Sequence, residues 1–130
     1  LDPIQPNKEA SDLDFDLAVE YCIDHINDIA ICCGSHNELS SLKLAELMVR
    51  KNIARDDKRV YFAQLFGMSD HISFNLAHAG FNVAKYVPYG PIKEVIPYLI
   101  RRAKENTSVK GQTGRELGLI IKELQRRKLA

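Results

Sequence analysis

Three times along the chain a short run of small, β-branched and aromatic residues gives way to a polar or glycine-containing turn and then to helical spacing. The runs are IAICCG at Ile29 to Gly34, VYFAQL at Val60 to Leu65 and FNVAKYV at Phe81 to Val87. The first suits a strand covered on both faces, and the second alternates as a strand does. The element order helix, strand, helix, strand, helix, strand, helix, helix implies an α/β chain of parallel strands joined by right-handed crossovers. In such folds ligands bind beyond the carboxyl ends of the strands, so the turns after each run matter most.

The helices follow from periodicity and turn chemistry. Leu1 to Lys8, with Pro3 and Pro6, reads as an extended connection. Ser11 with Asp14 approximates a capping arrangement, and Phe15, Ala18, Val19, Cys22, Ile23 and Ile26 predict a helix over about Asp12 to Ile26, with Asp16, Glu20 and Asp24 facing solvent. Gly34 to Asn37 closes the first strand, and Ser40 or Ser41 begins a helix to about Lys51. Gly67 breaks the second strand, Ser69 or Asp70 caps the next helix, and Gly80 ends it. Pro91 suits a first helical turn, whereas Pro97 predicts either a helix beginning near Ile96 or a kink. Thr107 to Gly114 reads as a flexible connector before a last amphipathic helix, Arg115 to Leu129.

A net charge of +1 gives no electrostatic reason to expect nucleic acid, and there is no apolar run long enough to span a bilayer. The basic end Gln125 to Lys128 leaves peripheral contact with an anionic membrane open, beside the plainer reading of a solvated helix end. Cys22, Cys32 and Cys33 lack metal-site or redox spacing and read as reduced, buried thiols. No metal is expected. The opening at Leu1, without Met and directly into a loop, leads us to expect a piece of a longer protein.

The segment Lys85 to Asn106 carries the clearest chemistry. Ile92, Ile96, Leu99 and Ala103 fall on one helical face, while Tyr98, Arg101, Arg102 and Glu105 gather on the other. Charge pairing of Arg101 with Glu105 on a solvated face is one reading. Adjacent guanidinium groups beside a strand end also suit the grip of a small carboxylate. His36 has no second histidine or carboxylate at ligand spacing and no identifiable triad partner.

Tyr86, Pro88, Gly90, Tyr98-Leu99, Arg101-Arg102 and Glu105-Asn106, together with GSHN at Gly34 to Asn37 and FAQLFGMSD at Phe62 to Asp70, resemble signatures of the proline dehydrogenase family in the same order. The resemblance runs from Pro3 to Arg127. It implies the C-terminal part, about three βα units, of a (βα)8 TIM-like barrel that binds FAD and oxidises L-proline to 1-pyrroline-5-carboxylate, the first step of proline catabolism. Residues 1–10 would be a connecting loop, 11–106 the alternating units, and 107–130 the connector and terminal helix. A barrel of this type needs about 250 residues, so the missing partner would be the barrel's N-terminal half.

By the same resemblance Arg101 and Arg102 would hold the substrate carboxylate, Tyr86 and Tyr98 would wall the pocket, and Leu65 would lie opposite. Ser35 and His36, with Asn37 and Gln64, would contact FAD, and Glu105 would orient a guanidinium or bond the flavin side chain. A quinone-type electron acceptor is implied. So is a location in mitochondria, at the matrix side of the inner membrane, or in a bacterium in the cytoplasm or peripheral on the inner membrane. A lysine and an aspartate of the family's site have no counterpart in this chain, so it alone is expected not to catalyse. Tyr86 favours proline, because the hydroxyproline-oxidising branch resembles Ser at this position. Hydroxyproline dehydrogenase is one alternative, and a non-catalytic barrel fragment acting as an assembly module is the other.

Overall fold

Asn7, not Ser11, opens the first helix. Its side-chain oxygen accepts from the Ala10 N–H at 2.8 Å, so α1 spans Lys8–Asp24 and starts four residues ahead of the expected position. The computed structural model describes residues 4–108 and 112–128, apart from the side chains of 103–108, 112–116, 119 and 120. After α1 come β1 (Ile31–Gly34), α2 (Glu38–Arg50), β2 (Val60–Leu65), α3 (Asp70–His78), β3 (Val83–Tyr86), α4 (Ile92–Ser108) and α5 (Gln112–Lys128). The chain forms two compact units, one ending at Val87 and one beginning at Pro88.

In the first unit the three strands pair in parallel in the order β1-β2-β3. Together with the alternating helices they form part of a TIM-like barrel. Cys33 pairs with Phe62 and Phe62 with Val83, and this row faces the helices. There it meets Val19, Ile23 and Ile26 from α1 and its end, and Leu44, Leu47 and Met48 from α2, in the core. Phe62, Leu44 and Met48 are fully buried, and each such side chain contributes about 1.5–3 kcal/mol by leaving water.

The opposite face of the sheet carries Cys32 with Tyr61, then Gly34, Ala63 and Ala84 side by side, then Leu65 with Tyr86. Cys32, Tyr61 and Tyr86 are exposed on it. Alternation along β2, with Val60, Phe62 and Gln64 buried and the residues between them less so, sets which side chain goes where.

β2 has the expected bounds, and β1 and β3 are shorter than the apolar runs that contain them. α2 begins at Glu38 because Asn37 accepts from the Leu39 N–H at 3.0 Å; Ser40 and Ser41, expected to cap it, are buried inside it. Ser41 Oγ instead donates back to the Asn37 carbonyl at 3.0 Å.

In the second unit α4 begins just after Pro91, whose carbonyl accepts from the Glu94 and Val95 N–H groups, and runs through Pro97 without a break. The helix therefore starts at Ile92 and not near Ile96. Proline at 97 removes one helical hydrogen bond without ending the helix. α5 starts at Gln112, ahead of the expected Arg115, so the expected connector of 107–114 is largely helical at both ends, and residues 109–111 lie outside the described residues. Among the described residues no helix is long and apolar enough to cross a membrane.

Candidate functional site

The turns that follow β1 and β2 are tied to each other by buried polar side chains. Ser35 leaves β1 with its N–H on the Ala63 carbonyl at 3.2 Å, and its hydroxyl accepts from the Asn37 N–H at 3.0 Å. Asn37 spends its side-chain oxygen on capping α2. His36 lies between them, half-buried, with Nδ1 2.8 Å from Ser69 Oγ. The expected Ser35, His36 and Asn37 group thus forms one ordered turn at the carboxyl edge of the sheet.

Gln64 faces the helices and is 2% exposed. Its amide donates to the Ser35 carbonyl at 3.2 Å and accepts from Ser73 Oγ at 2.8 Å. Both polar ends of this side chain are therefore engaged with protein, so in this structure Gln64 supports Ser35 from behind. A buried amide left half-satisfied would cost about 1–3 kcal/mol, which is why the pairing at both ends matters.

Leu65 and Tyr86 are register partners on the open face, Leu65 half-buried and Tyr86 55% exposed. Directly below them run Gly34, Ala63 and Ala84, and a Cβ built on Gly34 would meet nothing within 4 Å. A level row of minimal side chains beside a fixed imidazole and an aromatic wall fits a flat ring system. On that observation the residues present suit a flavin, with Ser35, His36 and Asn37 the groups able to hold it.

Sequence reasoning missed two supports of the turn that carries Leu65. Lys85, on the helix-facing side of β3, donates to the Met68 carbonyl at 2.6 Å and to Asp70 Oδ1 at 2.8 Å. Ser69, expected as a helix cap, takes a left-handed backbone at φ 50°, ψ 42° and makes no side-chain cap bond. The only sequence signal was the polar Ser69-Asp70 pair after Gly67, which reads as an ordinary helix start.

In the second unit Tyr98 and Arg102 stand one turn apart on α4, with Arg102 Cζ 5.5 Å from the centre of the Tyr98 ring. Both are half-buried, whereas Arg101 is exposed. Stacking on a ring holds a guanidinium in plane. The side chain of Glu105 lies outside the described residues.

The electrostatics of the first unit separate its two ends. Burial pushes the Cys33 thiol up to about 12, so it is an inert core group. At the amino-terminal edge of β2, Arg59 holds the Asp57 carboxylate down to about 2 through side-chain and then backbone hydrogen bonds. The Asp57–Arg59 pair there serves stability, since binding chemistry in this architecture lies at the other edge.

A family model described as proline dehydrogenase matches residues 1–115. Proline dehydrogenase 1, mitochondrial, of Bos taurus is 43% identical over 129 residues, covering 97% of this chain and 22% of the relative. Hydroxyproline dehydrogenase of Homo sapiens is 42% identical over 132 residues, covering 98% of this chain and 28% of the relative. The chain thus spans about a quarter of the length of the curated relatives it matches. Among solved structures, proline utilization A from Bdellovibrio bacteriovorus, inactivated by N-propargylglycine, superposes with a TM-score of 0.75 at 29% identity, covering 83% of this chain and 11% of that one. A model match reaching from residue 1 to residue 115, with relatives at 42–43% identity along nearly all of its length, means that this chain belongs to the proline dehydrogenase family.

Proposed function

We propose that this chain supplies the substrate-carboxylate clamp and part of the flavin site of an enzyme that oxidises L-proline to 1-pyrroline-5-carboxylate. The observation that carries this reading is the pairing of Tyr86 with Leu65 on the face of the sheet turned away from α1 and α2, beside Gly34, Ala63 and Ala84. FAD, when bound, supplies the two-electron acceptor for the hydride on the ring carbon next to nitrogen.

The chain's own residues bind, orient and exclude water. Arg101 and Arg102 neutralise and fix the carboxylate by charge-assisted hydrogen bonds, with the Tyr98 ring steadying Arg102. Tyr86 limits substrate size and Leu65, its register partner, gives an apolar wall that keeps water from the reacting carbon, while Tyr98 serves the substrate through Arg102. Ser35, His36 and Asn37 hold the cofactor, and Gln64 acts through Ser35. Among the described residues the sheet has three strands, with β1 and β3 at its edges, and the remaining strands of the barrel are the partner that covers them. A quinone-type compound is the final electron acceptor. In a eukaryote the relatives named mitochondrial support a mitochondrial location, with peripheral attachment to the inner membrane; in a bacterium the enzyme is cytoplasmic or peripheral on that membrane.

Hydroxyproline oxidation is the second reading, favoured by the hydroxyproline dehydrogenase at 42% identity. Tyr86 argues against it, because a phenol ring occupies the room that an added hydroxyl needs. Steady-state oxidation of proline and of hydroxyproline by the full-length protein, purified with its visible flavin spectrum, tests both. Higher kcat/KM for proline is expected; preference for the hydroxylated ring overturns the use of Tyr86, and a protein that binds no flavin overturns the cofactor site.

A further inference from the structure

Ser69 occupies the N-cap position of α3, where a serine ordinarily takes an extended backbone and turns its oxygen onto the first N–H groups of the helix. Here it does neither. Its backbone is left-handed at φ 50°, a region that non-glycine residues adopt under constraint, and its hydroxyl makes no cap bond. The side chain is turned away from the helix, onto His36 Nδ1 at 2.8 Å, and the residue is 4% exposed.

The backbone of Ser69 is held in this shape from several sides. Its carbonyl accepts from the Ile72 N–H at 3.0 Å, from the Ser73 N–H at 3.1 Å and from Ser73 Oγ at 3.3 Å. Ser73 Oγ lies 2.8 Å from Gln64 Oε1, and Gln64 reaches the Ser35 carbonyl. His36, Ser69, Ser73, Gln64 and Ser35 therefore form a closed link between the two turns. Buried polar networks of this kind fix one arrangement when every member is satisfied.

We propose that Ser69 is a positioning residue for His36: its hydroxyl, withheld from helix capping, fixes the imidazole at the carboxyl edge of the sheet in the orientation that receives the cofactor. This rests on the reading of His36 as a flavin-binding group. A serine kept only for local helix stability would cap the helix, and at a left-handed position glycine would serve the backbone better.

Ser69→Gly separates the two roles, since it keeps the backbone shape and removes the hydroxyl. In the full-length protein, FAD affinity of the apoprotein is measured by fluorescence titration for wild type, Ser69→Gly, His36→Ala and the double variant, alongside the apoprotein melting temperature. Ser69→Gly is expected to weaken FAD binding about tenfold with the melting temperature held, and to add nothing in the His36→Ala background. Labelling the histidines with heavy nitrogen should show the His36 ring signals alone displaced in Ser69→Gly. If His36→Ala weakens FAD binding while Ser69→Gly leaves it unchanged, or if the two effects simply add, the positioning role is wrong. If His36→Ala itself leaves FAD binding unchanged, the cofactor role of His36 falls and this proposal with it.

Discussion

Leu65 and Tyr86 stand opposite each other in parallel register at the carboxyl ends of β2 and β3, on the face of the sheet turned away from α1 and α2. Their side chains are neighbours on that face, so a change of size at either alters the same stretch of surface. Tyr86→Ser in the full-length protein should lower kcat/KM for proline and raise it for hydroxyproline, shifting the ratio roughly 10- to 200-fold, the range set by one small group in a pocket. Competing steady-state assays measure it, and an unmoved ratio would remove Tyr86 from the pocket.

Arg102 over the Tyr98 ring gives two graded outcomes. Arg102→Ala should raise KM for proline by at least about thirty-fold, since a bound carboxylate that loses a buried partner costs about 2–5 kcal/mol. Tyr98→Leu should raise it roughly two- to fivefold, the equivalent of about 0.5–1 kcal/mol of cation–π attraction. Arg102→Lys should not restore binding, because an ammonium lacks the planar fork. A flavin spectrum unchanged throughout shows that the fold survives; unchanged KM in Arg102→Ala would end the clamp assignment.

Lys85 holds the turn between β2 and α3 by the Met68 carbonyl and Asp70. The Asp70 carboxylate is 55% exposed, so water screens that share and the carbonyl bond carries more. Lys85→Met should lower stability by about 1–2 kcal/mol in urea unfolding and speed hydrogen exchange in the turn that bears Ser69. Exchange that is unaffected in that turn would contradict a role in fixing it.

Asp57 provides a pH test at the far edge of the sheet. Arg59 lowers its folded value from 3.8 to about 2, so the folded chain binds this proton less readily than the unfolded one. The stabilisation is complete above the ordinary value and fades as pH falls toward about 2. The gap in unfolding free energy between wild type and Asp57→Asn should therefore shrink over that interval, with flavin affinity at neutral pH untouched. A gap independent of pH would refute the Arg59 pairing.

What could be seen beforehand, and what could not, follows from range. VYFAQL announced its strand to the residue because alternation and β-branching act locally. Asn7 and Asn37 displaced the expected serine caps, since asparagine competes equally for that place and only backbone geometry decides. Pro97 passed inside α4, where surrounding turns tolerate one missing bond. Ser69 was unreadable: its partner His36 lies 33 residues away, and nothing in serine advertises a positive φ. The placement of Ser35, His36, Leu65 and Tyr86 at one sheet edge came from strand order, whereas the roles assigned to them came from resemblance.

Gly34 ends β1 without a side chain, yet among the described residues no atom occupies the volume a methyl group would take. Glycine weakens a strand, so the fold has no stake in keeping it and forgoes rigidity by doing so. Gly34→Val should accordingly raise the melting temperature of the apoprotein while driving FAD out, moving endurance and cofactor retention in opposite directions through a single carbon skeleton.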